Sequence, residues 1–147
     1  MFEESFVVGS FAINDTISNF SSIGPVKIDG SNRIKPNVVA PGSDVVSQVL
    51  DGSFQAWNGT SMAGPHVAGL VALIISANPS LAGKVEVIEE IIEMTARYQE
   101  SNTTCDSFQN NAIPNHVYGF RRIQANAAVR RAIILKAEDE QKIKFGL

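Results

Sequence analysis

Short apolar runs broken by turn residues fill the first part of the chain, and helical periods fill most of the remainder. Residues 5–12 (SFVVGSFA) read as a strand with a glycine inside it. Residues 14–27 are loop-like, with Asn14-Asp15, Ser21-Ser22 and Gly24-Pro25 as breakers. Asp29-Gly30-Ser31-Asn32 signals a turn, and Val38-Val39-Ala40 is a short apolar run ended by Pro41-Gly42. Residues 44–50 and 53–57 read as two more strands joined at Asp51-Gly52. Strands this short and apolar are expected in a sheet covered on both faces.

The helical part begins at Thr60. Up to Ala77 nearly every residue is small or apolar, so this helix has no polar face and is expected inside the protein. Asn78-Pro79-Ser80 breaks it, and Ser80 is placed to cap the next helix. There Val85, Ile88, Ile91, Ile92 and Thr95 share one face, with Glu86, Glu89, Glu90 and Glu93 outward. Residues 97–117 carry no clear period and read as a long loop. A last helix is predicted over 122–136, with Ala125, Ala128, Ala132 and Leu135 on one side. Residues 5–136 then form the folded part, and 137–147 a charged, loosely held tail. Strands first and helices after them indicate an α/β layer structure.

Composition narrows the functional classes. The 147 residues suit about one domain, and 44% hydrophobic content with 18% charge supports a core and argues against disorder. A net charge of −3 gives no basic footprint for nucleic acid, so no nucleic-acid partner is expected. The longest apolar run, Val67 to Ala77, is interrupted by Gly69 and Ser76, and no membrane span is expected. Met1-Phe2-Glu3-Glu4 lacks the basic segment of a signal peptide. A lone cysteine, Cys105, excludes an internal disulfide and a cysteine-based zinc site, and its polar, acidic neighbours do not favour a thiolate. Sequons occur at Asn14, Asn19, Asn58 and Asn102.

The segment Asn58-Gly59-Thr60-Ser61-Met62-Ala63-Gly64-Pro65-His66-Val67-Ala68-Gly69 carries the chemistry. Ser61 opens the apolar helix, where the first backbone N–H groups lack helical partners and the helix dipole favours negative charge. An oxyanion formed by attack of Ser61 on a carbonyl would lie beside its own N–H. Gly59 lets a substrate backbone approach closely. Pro65 falls in the second turn and is expected to distort the start of the helix. The bland alternative is that Ser61 is a helix cap. His66 lies five residues on, about 140° around the helix from Ser61, so it reads as a structural histidine rather than a base. His116, in a polar loop, stays open as a base.

The segment from Gly59 to Gly69 resembles the nucleophile signature of the subtilisin-like serine proteases, the subtilases. Three further stretches resemble the same family in the same order: residues 14–25, ending Phe-Ser-Ser-Ile-Gly-Pro; Lys35-Pro36-Asn37-Val38-Val39-Ala40-Pro41-Gly42; and Tyr118-Gly119-Phe120 on through Ala125, Ala128 and Val129. The likeness covers roughly residues 6–135 and looks nearest to the bacillopeptidase F-like branch.

The resemblance implies a mostly parallel sheet with flanking helices, in a three-layer α/β fold of which this chain is the C-terminal portion. It implies Ser61 as the nucleophile of an Asp-His-Ser triad. Thr60 then lies beside the oxyanion hole, and Trp57 and Asn58 line the leaving-group side of the cleft. Peptide or protein substrates, no cofactor, no metal, and a secreted or cell-surface location are implied likewise. The family's Asp-[Ser/Thr]-Gly, His-Gly-Thr and Ala-Gly-Asn segments do not occur in these residues. The chain alone is therefore expected to be inactive, with the missing N-terminal part of the catalytic domain as a partner. Asn37 and the run Phe120-Arg121-Arg122 depart from the family pattern, and the added charges are expected to affect stability rather than chemistry. One rival is an α/β-hydrolase order of Ser61, Asp106 and His116, although Ala63 stands where that class needs glycine. Another is a non-catalytic remnant that binds or supports another protein.

Overall fold

Val8, Val38 and Val39 are β-branched residues that fit a buried, pleated surface. In the computed structural model, which describes residues 5–97 and 112–145, they lie in β1 (Val8–Phe11) and β2 (Val38–Pro41). The two strands are parallel, with Val8 opposite Val38 and Phe11 opposite Pro41. Residues 121–123 extend the pairing beyond β2. The Val39 N–H donates to Arg121 O at 3.0 Å, and the Ile123 N–H to Val39 O at 3.1 Å. Gly119 turns the chain into that edge with φ 58°, and a Cβ there would overlap the carbonyl oxygens of Pro36 and Asn37.

The second pair of strands stands apart. β3 (Val45–Gln48) and β4 (Phe54–Trp57) form an antiparallel hairpin, closed at Asp51-Gly52 as the turn residues predict. The Asp51 carboxylate accepts the Ser53 N–H, and the Ser53 hydroxyl first, with this N–H second, holds the carboxyl below its ordinary pKa. The expectation of coverage on both faces holds for β2 and fails for the hairpin. All four residues of β4 are exposed, because nothing among the described residues packs on either side of it.

Three helices follow: α1 (Thr60–Ala77), α2 (Val85–Met94) and α3 (Ala125–Phe145). Ala63, Val67, Leu70 and Ile74 repeat along one stripe of α1 and meet Val38 and Ala40 of β2. Ile88, Ile91 and Ile92 of α2 and Ala128 and Ala132 of α3 complete this core. The alanines keep α3 close to α1.

Only that stripe of α1 is covered. Ala68, Ala72 and Leu73 are exposed, Leu73 by 52%, so the helix expected to be buried all round is buried on one side. Its 18 residues and mean hydropathy of 1.5 meet the length and composition of a membrane span, which the apolar run Val67 to Ala77, interrupted by Gly69 and Ser76, does not reach. The stripe packed on β2 and α3 accounts for it as the packed helix of a domain.

Two helix ends also differ from expectation. Ser80 does not cap α2, whose N-cap is Lys84 with no side-chain bond. Asn78 is the capping residue: it takes the Ser80 N–H and hydroxyl on Oδ1, at 3.2 and 2.8 Å, around a short 3-10 turn (Pro79–Leu81). Its amide also donates to Ala132 O of α3, at 3.2 Å. The last helix does not stop near Lys136 but continues to Phe145. Ala137, Glu138, Glu140, Gln141 and Lys142 are strong helix formers, and Arg131 pairs with Glu138 at 3.7 Å.

The departures from the family pattern have structural partners. Asn37 accepts the Val7 N–H and the Lys35 ammonium on Oδ1, and donates from Nδ2 to Glu93 at 2.9 Å. An aspartate there would face the Glu93 carboxylate. Arg122 pairs with Asp15 and lies 5.5 Å over the Phe11 ring, clamping the loop after β1. Arg121 is fully buried and donates to Ala112 O.

Replacing Asn37 by aspartate should lower unfolding stability by about 1–3 kcal/mol at neutral pH, measured by urea denaturation. Glu89 gives the opposite sign. Partial burial, then Glu93 and Glu86, push its pKa up, so its ionisation opposes folding above that raised pKa. Glu89→Gln should raise the denaturation midpoint at pH 7, and the gain should vanish by about pH 3, where the carboxyl is protonated folded and unfolded alike.

Candidate active site

The approach to Ser61 is set by a crossing of two backbone segments. β2 ends at Pro41-Gly42, and β4 ends one residue before Asn58-Gly59. The Gly59 N–H donates to Gly42 O at 2.8 Å. A Cβ on Gly42 would overlap Ser10 Oγ and lie 2.7 Å from Gly59 O, so only glycine permits this approach. Asn58 adds a second tie, its Oδ1 accepting the Asp44 N–H at 2.8 Å.

α1 starts from this anchored point. The Met62 and Ala63 N–H groups both donate to Gly59 O, at 3.0 and 3.3 Å. The Ser61 N–H has no acceptor among the described residues, as its place in the first turn requires. Gly59 makes no side-chain cap, and Thr60 and Ser61 are both exposed. The N-cap position is Gly59 and no side chain caps the first N–H groups of α1, so the helix-cap alternative for Ser61 has no bond to support it. Pro65 does not break the helix: α1 runs through it, and the carbonyl deprived of its usual N–H donor is that of Ser61.

The residues that the spacing groups with Ser61 divide between two clefts. Trp57 is 53% exposed and lines a cleft of about 720 Å³ with Met62, Val45 and Leu50. Its Nε1–H donates to Gln55 Oε1 at 3.1 Å. Asn58 lines a second cleft, of about 540 Å³, with Ser43, Asp44, Asn19 and Phe20. The chain thus brings Trp57, Asn58, Gly59 and Thr60 to the entrance of α1 beside Ser61, with the two side chains facing different grooves.

Among the described residues neither histidine is hydrogen-bonded to Ser61. His66 Nδ1 sits 2.9 Å from Met62 O, on its own helix, which fits the structural role read from the spacing. His116 is not in a polar loop: it is 2% exposed, with its carbonyl accepting the Gly24 N–H. A Cβ on Gly24 would lie 2.8 Å from its ring, so this glycine makes room for a buried imidazole. The segment differs from expectation because Asn115 turns it into the protein, its Oδ1 accepting the N–H groups of buried Val117 and Tyr118. Cys105, Asp106 and the sequon at Asn102 lie outside the described residues. Among the described residues no group of three or more His, Cys, Asp or Glu side chains is placed to hold a metal ion.

A short parallel sheet, a helix packed on it by one stripe, and a serine exposed in that helix's first turn make part of a subtilisin-like α/β layer. The family described as the Subtilase family, peptidase S8, matches residues 2–120, and the chain belongs to it. It is 39% identical over 129 residues to bacillopeptidase F of Bacillus subtilis strain 168, covering 87% of this chain and 8% of that protein. To subtilisin NAT of Bacillus subtilis subsp. natto it is 34% identical over 97 residues, 66% of this chain and 23% of that protein. Among solved structures, the CspB protease of Clostridium perfringens superposes with a TM-score of 0.67 and 28% identity, over 89% of this chain and 27% of that one. The chain therefore spans under a third of each of these relatives.

Trp57 is the single tryptophan and stands one residue from Asn58, so it reports on this corner. Asn58→Ala should cost about 0.5–1.5 kcal/mol and shift Trp57 emission, whereas Asn58→Asp, which keeps the acceptor, should lose less. Fluorescence-detected urea unfolding of the two variants checks this.

Proposed function

We propose that Ser61 is the nucleophile of a subtilisin-like serine endopeptidase, and that its base and acid come from residues outside this chain. The observation that supports this most is the exposed Ser61 in the first turn of α1, with its backbone N–H unpaired among the described residues. Membership of the subtilase family supports hydrolysis of a peptide or protein substrate.

In this reading Ser61 Oγ attacks the scissile carbonyl, and its proton passes to a histidine of the complementary segment. The Ser61 N–H donates to the oxyanion that forms. The histidine returns the proton to the leaving amine, and water then hydrolyses the acyl-enzyme ester. Gly59 and Thr60 border the oxyanion site, and Trp57 and Asn58 flank the leaving-group side. No step uses a cofactor. The uncovered side of α1 and the exposed hairpin are the surfaces on which the complementary part of the domain packs. A secreted or cell-surface location follows from the family's habit.

The 147-residue chain by itself does not cleave peptides. His66 is held to Met62 O and His116 is buried, so neither deprotonates Ser61. A second reading, a non-catalytic subtilase module that binds or supports another protein, draws on the same lack of a base hydrogen-bonded to Ser61 among the described residues.

A fluorophosphonate probe should leave the isolated chain unlabelled under conditions that label an intact subtilase, read by intact-protein mass. Stoichiometric labelling of Ser61 in the isolated chain would show a working base within it. Paired with a polypeptide supplying the upstream subtilase segment, the chain should hydrolyse a peptide substrate, and Ser61→Ala should lower that rate by about 10⁴-fold or more. No hydrolysis by the folded pair would favour the non-catalytic module.

A further inference from the structure

A line of serine hydroxyls runs beneath the corner that carries Ser61. Ser10 Oγ lies 2.7 Å from Ser18 Oγ, and Ser18 Oγ lies 2.7 Å from Ser43 Oγ. Ser10 is fully buried on β1, Ser18 is buried in the loop that follows, and Ser43 is half-buried next to Gly42. A fourth serine, Ser21, accepts the Ser10 N–H at 3.0 Å, and Ser10 O accepts the Ser18 N–H at 2.9 Å.

The direction of the chain follows from counting protons. Each hydroxyl has one proton to donate. Ser10 Oγ has Ser18 Oγ as its single partner among the described residues. Were Ser10 to accept, its own proton would be buried without an acceptor, a costly arrangement. Ser10 therefore donates to Ser18, and Ser18 donates to Ser43. The Ser43 proton is left pointing toward the cleft that Ser43 shares with Asn58. Bonds aligned donor to acceptor in this way reinforce one another.

The hydroxyl line meets the nucleophile corner at Gly42. Ser10 Oγ occupies the space that a Gly42 side chain would take, so the turn rests on that hydroxyl. Ser43 ties the next residue to the Ser18 loop. Gly42 in turn accepts the Gly59 N–H, and Gly59 O receives the first two N–H donors of α1.

We infer that Ser10, Ser18 and Ser43 are positioning residues. Their directed hydroxyl chain holds Gly42 where it anchors Gly59, and through it sets the position of Ser61. The inference rests on Ser61 as the nucleophile for its meaning, but not for its test, because amide exchange reads the Gly59 anchor without any catalysis.

Amide hydrogen exchange by NMR on the ¹⁵N-labelled 147-residue chain makes that test. The Val39 N–H, bonded to Arg121 O on the far side of β2, is the internal control. Ser18→Ala breaks both links and should speed Gly59 exchange by about three- to tenfold while leaving Val39 unchanged. Ser43→Ala, at the surface end, should act in the same direction with the fold intact. Ser43→Thr keeps the hydroxyl and should restore slow exchange. Equal acceleration at Gly59 and Val39 would reduce the serines to general stability and overturn the proposal. So would unchanged Gly59 exchange in Ser43→Ala, or failure of Ser43→Thr to restore it.

Discussion

A backbone hydrogen bond of 2.8 Å, from the Gly59 N–H to the Gly42 carbonyl, joins the end of β2 to the residue that launches α1. Sheet, helix and site all meet at it. β2 is held by β1 on one side and by residues 121–123 on the other. α1 is held on β2 by the stripe of Ala63, Val67, Leu70 and Ile74. The Gly42–Gly59 contact makes the two into one frame, and Ser61 projects from its corner. Gly42 is needed because a Cβ there would overlap Ser10 Oγ and crowd Gly59 O.

The one-sided burial of α1 links packing to function. An 18-residue apolar helix suits a protein interior on every side, yet only one stripe is covered. Full burial of a side chain such as Leu73 contributes roughly 1.5–3 kcal/mol, so the uncovered side holds considerable unspent association energy. In the proposed function, the complementary part of the domain is what covers that side of α1. Coverage and catalysis are coupled in this account, since the same complementary part brings both the apolar contact and the base.

Much of the fold was legible from periodicity. The four strands, the Asp51-Gly52 turn, α1 and α2 all lie where spacing predicts them, because each records a local preference. What escaped is set by tertiary contact. A pattern of apolar residues states that a face wants burial, not whether neighbours are present to bury it, and so spacing alone predicts coverage that α1 and the hairpin lack among the described residues. His116 lies in a stretch without helical or strand period, so spacing does not show its burial; the turn that Asn115 makes does. Asn78 caps the short 3-10 turn instead, with Ser80 as its hydrogen-bond donor, and α2 starts at Lys84 without a side-chain cap. At the site, the motif around Ser61 stands out in one dimension because its residues are contiguous. The serines beneath it come from positions 10, 18 and 43, and nothing in their spacing brings them together.

Ser61 Oγ is proposed as the reacting atom of a domain completed by another segment. The most direct measurement is to trap the covalent adduct. The chain would be assembled with the upstream segment of a relative such as bacillopeptidase F, treated with a fluorophosphonate, digested and mapped by tandem mass spectrometry. The account predicts a single adduct on the peptide carrying Ser61, formed only in the assembled pair. An adduct on a different residue of the pair, or an unmodified Ser61 in a pair that hydrolyses peptides, would contradict it.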